Sequence, residues 1–174
     1  MRLGPVNHQQ FGLPSAISIE NFHQGSKCFT EELDNNGHPS ELFISNRLSF
    51  YQDPVPHRHK YKGTIPAFFV WIDKDGKEYH LNYVDSRQFY CYFYEILATQ
   101  TNDYQHLKKL VESGTNMEIC GYDAHPLAPD ETIEDAYLDT SKPFGHERVL
   151  FALLTLTPEH YPWRTHGTLI PVAK

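Results

Sequence analysis

The feature that most constrains the fold is a predicted strand pair that is followed at once by a ring-rich helix. Residues 65–72, IPAFFVWI, combine branched and aromatic side chains, which favour a strand, and the next four residues, DKDG, are typical of a tight turn. Residues 78–84 alternate well enough to form the returning strand. Asp85 and Gln88 match a capping box, so a helix is predicted over residues 86–98.

The rest of the chain predicts helices joined by loops, with little additional sheet. Prolines and turn residues exclude regular structure from the loop DPVPHRHKYKG and from the long segment between the last strand and the last helix. The fold class expected is α+β, a small sheet with a β-hairpin surrounded by helices in a single domain. Helices are predicted over residues 14–25, 40–52, 104–114 and 144–156, and a further short strand over residues 116–122. The second helix has Ser40 as its cap and a buried face of Leu42, Phe43, Ile44, Leu48, Phe50 and Tyr51. The third has Leu107, Leu110 and Val111 inward and ends at Gly114, and Pro143 opens the last.

The composition favours an acidic, folded domain. Aromatic residues make up 14% of the 174 residues and the formal net charge is −7, so bulk binding to nucleic acid is not expected, because such binding needs a basic surface. Three scattered cysteines indicate neither a disulfide framework nor a cysteine zinc site. The N-terminus lacks the apolar part of a signal peptide, and the longest apolar run is too short to span a bilayer. We therefore expect a cytoplasmic protein that does not associate with membranes.

The helix predicted over residues 86–98 carries aromatic rings around most of its circumference and one charged stripe. Arg87, Cys91 and Glu95 are spaced i, i+4, i+8 and so lie on one side of the helix. Two explanations stay open for this stripe. It is either a solvated ridge with an ordinary ion pair, or a pocket wall on which Arg87 binds an anion and Glu95 transfers a proton.

Two basic segments are candidate phosphate contacts. Arg58 lies in the loop segment HRHKYK, which concentrates positive charge in an acidic protein, and a solvated charged loop is the alternative. Lys27 follows Gly25, where the backbone can approach a phosphate, although the longer glycine pattern of a P-loop is missing. The alternating histidines of the loop have no spaced carboxylate to complete a metal site. No metal and no cofactor is therefore predicted.

Acidic residues on the long segment form a further group of candidates. Asp123 follows a predicted strand end, where ligand residues often lie, and a turn role explains it equally well. Asp135, Asp139, His146 and Glu147 gather before and at the start of the last helix. Acidic residues at that place also have a structural explanation, because they interact favourably with the helix dipole. No Ser-His-Asp or Cys-His arrangement has recognisable motif context, so nucleophilic catalysis by Ser or Cys is not predicted.

Two segments resemble the NADAR superfamily of N-glycosidases, which act on riboflavin-pathway intermediates and on ADP-ribosylated guanine. DGKEYHLNYVDSRQFYCYFYE looks like the strand-to-helix element of that family, and EDAYLDTSKPFGHERVLFALLTL is similar to its closing pattern. The resemblance implies that Ser86 matches the serine of a Ser-Glu-His-aromatic signature. It also implies that Asp135 and Tyr137 match an acidic-aromatic loop, with Asp139 near the sugar. It places a NADAR-like core over residues 61–160.

Within the single domain, residues 1–60 are then an N-terminal segment of helix and loops, and residues 161–174 are a tail. The signature position that is a catalytic Glu in the family is Arg87 in this chain, so Glu95 on the same stripe is the residue expected to supply that carboxylate. This departure leaves two outcomes open, a divergent enzyme or a protein that only binds the ligand.

The resemblance implies cleavage of an N-glycosidic bond in an ADP-ribose or ribose-phosphate ligand. Such cleavage passes through an oxocarbenium-like state and needs carboxylates, for which Glu95 and Asp139 are the candidates. The alternatives are a nucleotide sensor or decoy without turnover, and a structural or interaction protein. The predicted ligand-binding residues are Ser86, Arg87, Tyr90, Asp123, Asp135, Tyr137, His146, Arg58 and Lys27.

Overall fold

The fold is α+β, as predicted. A computed structural model describes residues 3–121, 125–167 and 169. These residues form α-helices and one small antiparallel sheet in the order α1 (Ile19–Gly25), β1 (Lys27–Cys28), α2 (Glu41–Gln52), β2 (Phe68–Ile72), β3 (Glu78–Leu81), α3 (Tyr83–Thr99), α4 (Asn102–Glu112), α5 (Ile133–Leu138), α6 (His146–Thr155) and α7 (Pro162–Thr165). By its internal contacts the chain divides into two compact units, Met1–Ser86 and Arg87–Lys174.

The first unit contains the sheet, whose strand order is β1-β2-β3 with both pairs antiparallel. In the central strand β2, Phe69 pairs with Lys27 of β1 on one side and with Leu81 of β3 on the other. Cys28, Phe43 and Val70 form a buried cluster between the sheet and α2. The core of this unit therefore joins the hairpin to a helix that is distant in sequence.

The predicted hairpin is confirmed, although its strands are shorter than expected. The Asp73 carboxylate accepts hydrogen bonds from the backbone N–H groups of Asp75 and Lys77, both at 2.9 Å, and Gly76 adopts φ +85°, a conformation that suits glycine. The hydrogen bond from the Lys77 N–H is the main reason why the pKa of Asp73 is lowered. Ile65, predicted in the first strand, is 84% exposed and lies before it.

The helix after the hairpin is also confirmed, but its predicted cap is wrong. α3 begins at Tyr83, and the Asn82 side-chain oxygen accepts the N–H of Asp85 at 2.9 Å. Asn82 is therefore the residue that caps the helix, and the Asp85–Gln88 box is not used. The helix starts three residues earlier than predicted because Asn82, within the predicted strand, supplies the capping oxygen.

The two N-terminal helices correct the sequence prediction in detail. α1 begins at Ile19 with the Ser18 hydroxyl accepting the N–H of Asn21, so residues 14–18 lie outside the helix. Ser40 precedes α2 as predicted, but its side chain makes no capping hydrogen bond. The predicted apolar face of α2 is only partly correct, since Phe43, Phe50 and Tyr51 are buried, Leu48 is half-buried, and Leu42 and Ile44 are exposed.

The second unit differs most from prediction after α4. α4 ends as expected, with Gly114 at φ +81°, and its predicted inward residues are half-buried. The described residues of the predicted strand, 116–121, form no strand. The long segment predicted to be irregular contains the helix α5. Thr132 and Asp135 form a reciprocal capping box at its N-terminus.

The two C-terminal helices also differ from prediction. α6 begins later than predicted, and α7 forms where a loop is predicted. α6 starts at His146 with Gly145 as its N-cap, not at Pro143, and it ends at Thr155. It is not the last helix, because α7 occupies part of the predicted tail, with Pro162 in its first turn. Val149, Ala152 and Leu153 form the buried face of α6.

Candidate functional site

Arg87, the predicted anion ligand, binds the backbone instead. Its side chain is 2% exposed, and its guanidinium donates to the carbonyls of Ala136, Tyr137, Asp139 and Lys142. A guanidinium presents several donors in a fixed plane, which suits the carbonyl groups that remain at the end of a short helix. Arg87 therefore closes the end of α5 and the turn that follows it.

Glu95, the first predicted catalytic carboxylate, is engaged with α7. It accepts a hydrogen bond from Trp163 Nε1 at 2.8 Å and forms an ion pair with Arg164. Trp163 is 1% exposed, so this bond satisfies a buried indole donor. The contacts give Glu95 a structural role that joins α3 to α7.

Asp139 and Asp135 are held in local turns. Asp139 Oδ1 accepts hydrogen bonds from Ser141 N at 2.9 Å and from Ser141 Oγ at 2.6 Å, and these lower the pKa of the Asp139 carboxyl. Hydrogen bonds from Thr132 lower the pKa of Asp135 in the same way. Tyr137 is 1% exposed and packs edge-to-face on Phe144 with ring centres 5.2 Å apart. These contacts stabilise α5 and the turn after it.

The predicted ligand residues of the first unit fall into two groups. Lys27 donates to Gln24 Oε1 at 2.8 Å, and burial lowers its pKa to about 8, with the charge of nearby Arg58 acting in the same direction. The structure thus brings two predicted phosphate contacts near each other. Ser86 is buried and donates to the Tyr83 carbonyl at 2.8 Å, so its hydroxyl serves the helix. Asp123 lies outside the described residues.

Tyr90 and His146, both predicted ligand contacts, are brought together. The Tyr90 hydroxyl lies 2.7 Å from His146 Nδ1, which joins α3 to the first residue of α6. The ring of Tyr94 lies 5.7 Å from the His146 ring. Burial, and after it the negative charge of Glu147, raise the pKa of Tyr94 to about 12. The start of α6 is therefore a place where ring, imidazole and carboxylate groups meet.

A cavity of about 660 Å³ lies in the second unit, beside α6. Its wall comes from the end of α4, residues 115–121, residues 125–127, Ile133 and the α6 residues Glu147, Arg148, Phe151, Leu154 and Thr155. The volume is in the range of cavities that hold small-molecule ligands. Arg87, Glu95 and Asp139 do not belong to this wall.

Glu147, in the first turn of α6, is a carboxylate residue on the wall of this cavity. It is half-buried and has no hydrogen-bond or ion-pair partner among the described residues. Its carboxylate fills space that only glycines leave open, because a Cβ added at Gly121 or at Gly145 would lie 2.7 Å from Glu147 Oε2. Two glycines thus make room for one acidic side chain at the edge of a cavity.

Arg148 is the residue that the sequence prediction missed. It lies next to Glu147 on the cavity wall, is 3% exposed, and donates to the His125 carbonyl at 3.1 Å. A signal for its burial exists in the sequence, because Arg148 is one turn before Ala152 and shares its inward face. Nothing in the sequence indicates the cavity itself.

The thiols separate into two kinds. Cys28 and Cys91 are buried, and burial raises the pKa of Cys28 to about 12 and that of Cys91 well above its usual value. Such thiols are poor nucleophiles. Cys120 is exposed and lies on the cavity wall.

The described residues contain neither a metal-binding cluster nor a helix that could cross a membrane. Within residues 3–121, 125–167 and 169, no cluster of three or more His, Cys, Asp or Glu side chains is arranged to hold a metal ion. No helix in the same ranges has both the length and the apolar character needed to cross a membrane. No family model, curated protein or solved structure matches the chain.

Proposed function

We propose that the second unit binds a nucleotide or ADP-ribose-type ligand in the α6 cavity and hydrolyses its N-glycosidic bond. The observation that carries this proposal is Glu147, a half-buried carboxylate on the wall of a ligand-sized cavity with no partner among the described residues. The resemblance to NADAR N-glycosidases supports the reaction class. Glu147 takes the role expected of Glu95 and Asp139, whose carboxylates hold other parts of the chain.

The chemistry needs a negative group close to the sugar. As the bond to the base breaks, positive charge develops on the anomeric carbon and ring oxygen, and a nearby carboxylate stabilises it or takes a proton from the attacking water. A carboxylate without another hydrogen-bond or ion-pair partner is available to make this contact. The departing base also needs a proton, and His125 on the cavity wall is the candidate donor.

Release of free base separates the competing carboxylates. Purified protein is incubated with nucleotides and with ADP-ribosylated guanosine, and released base is measured by chromatography. Glu147→Gln keeps the size and removes the charge, so turnover should fall by roughly 10²–10⁴-fold while ligand binding is retained. Glu112→Gln, on the exposed end of α4, is the matched control.

Glu95→Gln completes the experiment. It should lower stability through loss of the Arg164 ion pair and leave turnover per folded molecule close to that of the parent. If Glu95→Gln abolishes turnover in a folded protein while Glu147→Gln does not, the proposal for Glu147 is wrong.

A second candidate function is ligand binding without turnover. It is favoured by Arg87, which stands where the resembled family has its catalytic Glu and which is occupied with backbone carbonyls. A ligand at a hundred times its dissociation constant adds about 2.7 kcal/mol to the free energy of unfolding, so a thermal-shift screen detects it. Stabilisation without base release would identify a sensor or decoy.

A further inference from the structure

The guanidinium of Arg148 has spare donors in the wall of the α6 cavity. Nη2 donates to the His125 carbonyl at 3.1 Å, whereas Nε and Nη1 are buried and have no hydrogen-bond partner among the described residues. The side chain as a whole is 3% exposed. Arg148 is thus a buried, permanently charged group with an incomplete set of acceptors.

Protein groups in the described part of the chain do not compensate this charge. Glu147 and Glu118 also lie on the cavity wall, but neither forms an ion pair with Arg148. Buried polar groups without a partner are rare in folded proteins, and buried charges are normally paired, so an incomplete guanidinium on a residue that lines a cavity indicates an acceptor supplied from outside. The fixed fork of a guanidinium matches the oxygens of a phosphate or carboxylate.

The other residues of the wall limit the charge and polarity of that ligand. Apolar side chains form much of it, among them Ile119, Leu127 and Phe151. The two carboxylates, Glu118 and Glu147, oppose several negative charges in the same space. The cavity therefore suits a ligand with one oxyanion and a body of rings or hydrocarbon. Hydroxyl or amino groups on that body would donate hydrogen bonds to the two carboxylates.

We infer that Arg148 binds the single oxyanion of the ligand, so that the cavity takes a singly phosphorylated nucleotide or sugar in preference to one with several phosphates. This inference rests on the proposed function in that it uses the same cavity. Its physical content, binding of an oxyanion at Nε and Nη1 of Arg148, does not depend on cleavage of any bond.

Nuclear magnetic resonance of the arginine Nε–H groups tests this binding directly. The Arg148 signal is assigned by its absence from Arg148→Lys. Inorganic phosphate, acetate and chloride are titrated into the full chain at matched ionic strength. We expect the Arg148 signal to shift saturably with phosphate or acetate and not with chloride, and the stronger of the two identifies the oxyanion. A signal that does not respond to either oxyanion would overturn the inference.

Affinity for a nucleotide pair gives the second measurement. By calorimetry, adenosine monophosphate should bind more tightly than adenosine, and Arg148→Met should lower this preference by about tenfold to a hundredfold, the value of a charge-assisted hydrogen bond. Lys108→Met, which removes one exposed positive charge from α4, should leave the preference unchanged.

The two proposals fail in different ways. Anion binding at Arg148 without release of base means that the hydrolase proposal is wrong and the anion site stands. Release of base with an unchanged phosphate preference in Arg148→Met means that the anion site is wrong and the hydrolase proposal stands.

Discussion

Two buried arginines, Arg47 in the first unit and Arg148 in the second, are almost equally hidden from solvent and differ in what they bind. Arg47 is 2% exposed and donates to Gln10, Tyr51 and the Val70 carbonyl, with the Phe43 and Tyr51 rings near its guanidinium. Arg148 is 3% exposed and reaches one carbonyl. The first environment joins parts of the chain, and the second leaves donors available.

The network around Arg47 shows how a buried charge is used for structure. Gln10 Oε1 accepts from Arg47 and also from the Ile72 N–H at 2.9 Å, so the N-terminal segment is bound to α2 and to β2 through one side chain. Hydrogen bonds that connect segments distant in sequence fix their arrangement. In the described residues Arg148 makes one such connection, to the His125 carbonyl, and its Nε and Nη1 are left without an acceptor, which is the property expected of a binding site.

The largest effect should come from Arg47→Met. The substitution keeps apolar volume but leaves the Val70 carbonyl and Gln10 without their charged donor inside the core, so the free energy of unfolding should fall by about 3–5 kcal/mol. Urea unfolding measures this change. Lys60→Met, on an exposed loop position of the same unit, should change it by no more than about 0.5 kcal/mol. Equal effects of the two substitutions would contradict the structural role of Arg47.

The contrast also explains what could be predicted from the sequence. The hairpin and α3 were predictable because their signals are local: alternating residues, the DKDG turn and a helix that follows directly. The α2 face was not, since Arg47 is buried while Leu42 and Ile44 are exposed. Periodicity assigns apolar residues to the core and has no means of knowing that Gln10, distant in sequence, will satisfy a guanidinium there.

In the candidate site, too, local features could be predicted from the sequence, and features that depend on distant parts of the chain could not. Residue type and helical spacing correctly grouped Arg87 with Glu95 on one stripe, but the choice between ridge, pocket and structural contact depends on α5 and α7, which approach from elsewhere in the sequence. Tyr90 and His146 are predicted separately as ligand contacts, and the fold brings their side chains into contact. The cavity beside α6 arises from packing, and so no pattern of residues indicated it.

An intermediate effect should come from His8, which tests the first region by pH. His8 is 4% exposed, its Nδ1 accepts the Gln10 N–H at 3.1 Å, and its Nε2 lies 2.9 Å from the Pro14 carbonyl, an arrangement that fits the neutral ring. Burial lowers its pKa from 6.5 to about 4. Between these values the unfolded chain binds the proton more readily, so stability falls as the pH falls.

The expected size is about 2–3 kcal/mol lost between pH 7 and pH 4, from the value of one pKa unit. His8→Gln keeps a polar side chain that does not titrate, and unfolding of both proteins across this pH range isolates the contribution of His8. The two curves should converge toward acid pH. Parallel curves would show that His8 is not held neutral in the folded protein.

The smallest effect on stability should come from Arg148→Met, and it decides whether the two regions differ. The substitution loses one hydrogen bond, whose acceptor belongs to the exposed residue His125 and can be hydrated instead. It also removes two buried nitrogens that have no partner among the described residues. Because these contributions oppose each other, the free energy of unfolding should change by no more than about 1 kcal/mol, in contrast to Arg47→Met.

Added phosphate should then separate the parent from Arg148→Met. A ligand that binds only the folded state raises the free energy of unfolding in proportion to the logarithm of its concentration above the dissociation constant. If Arg148 holds the oxyanion, phosphate stabilises the parent progressively more than the variant, and sodium chloride at matched ionic strength does not. A loss as large as that of Arg47→Met in buffer without phosphate would mean that Nε and Nη1 are already engaged in the folded chain. Arg148 would then be a structural group like Arg47, and the α6 cavity would lose its anion site.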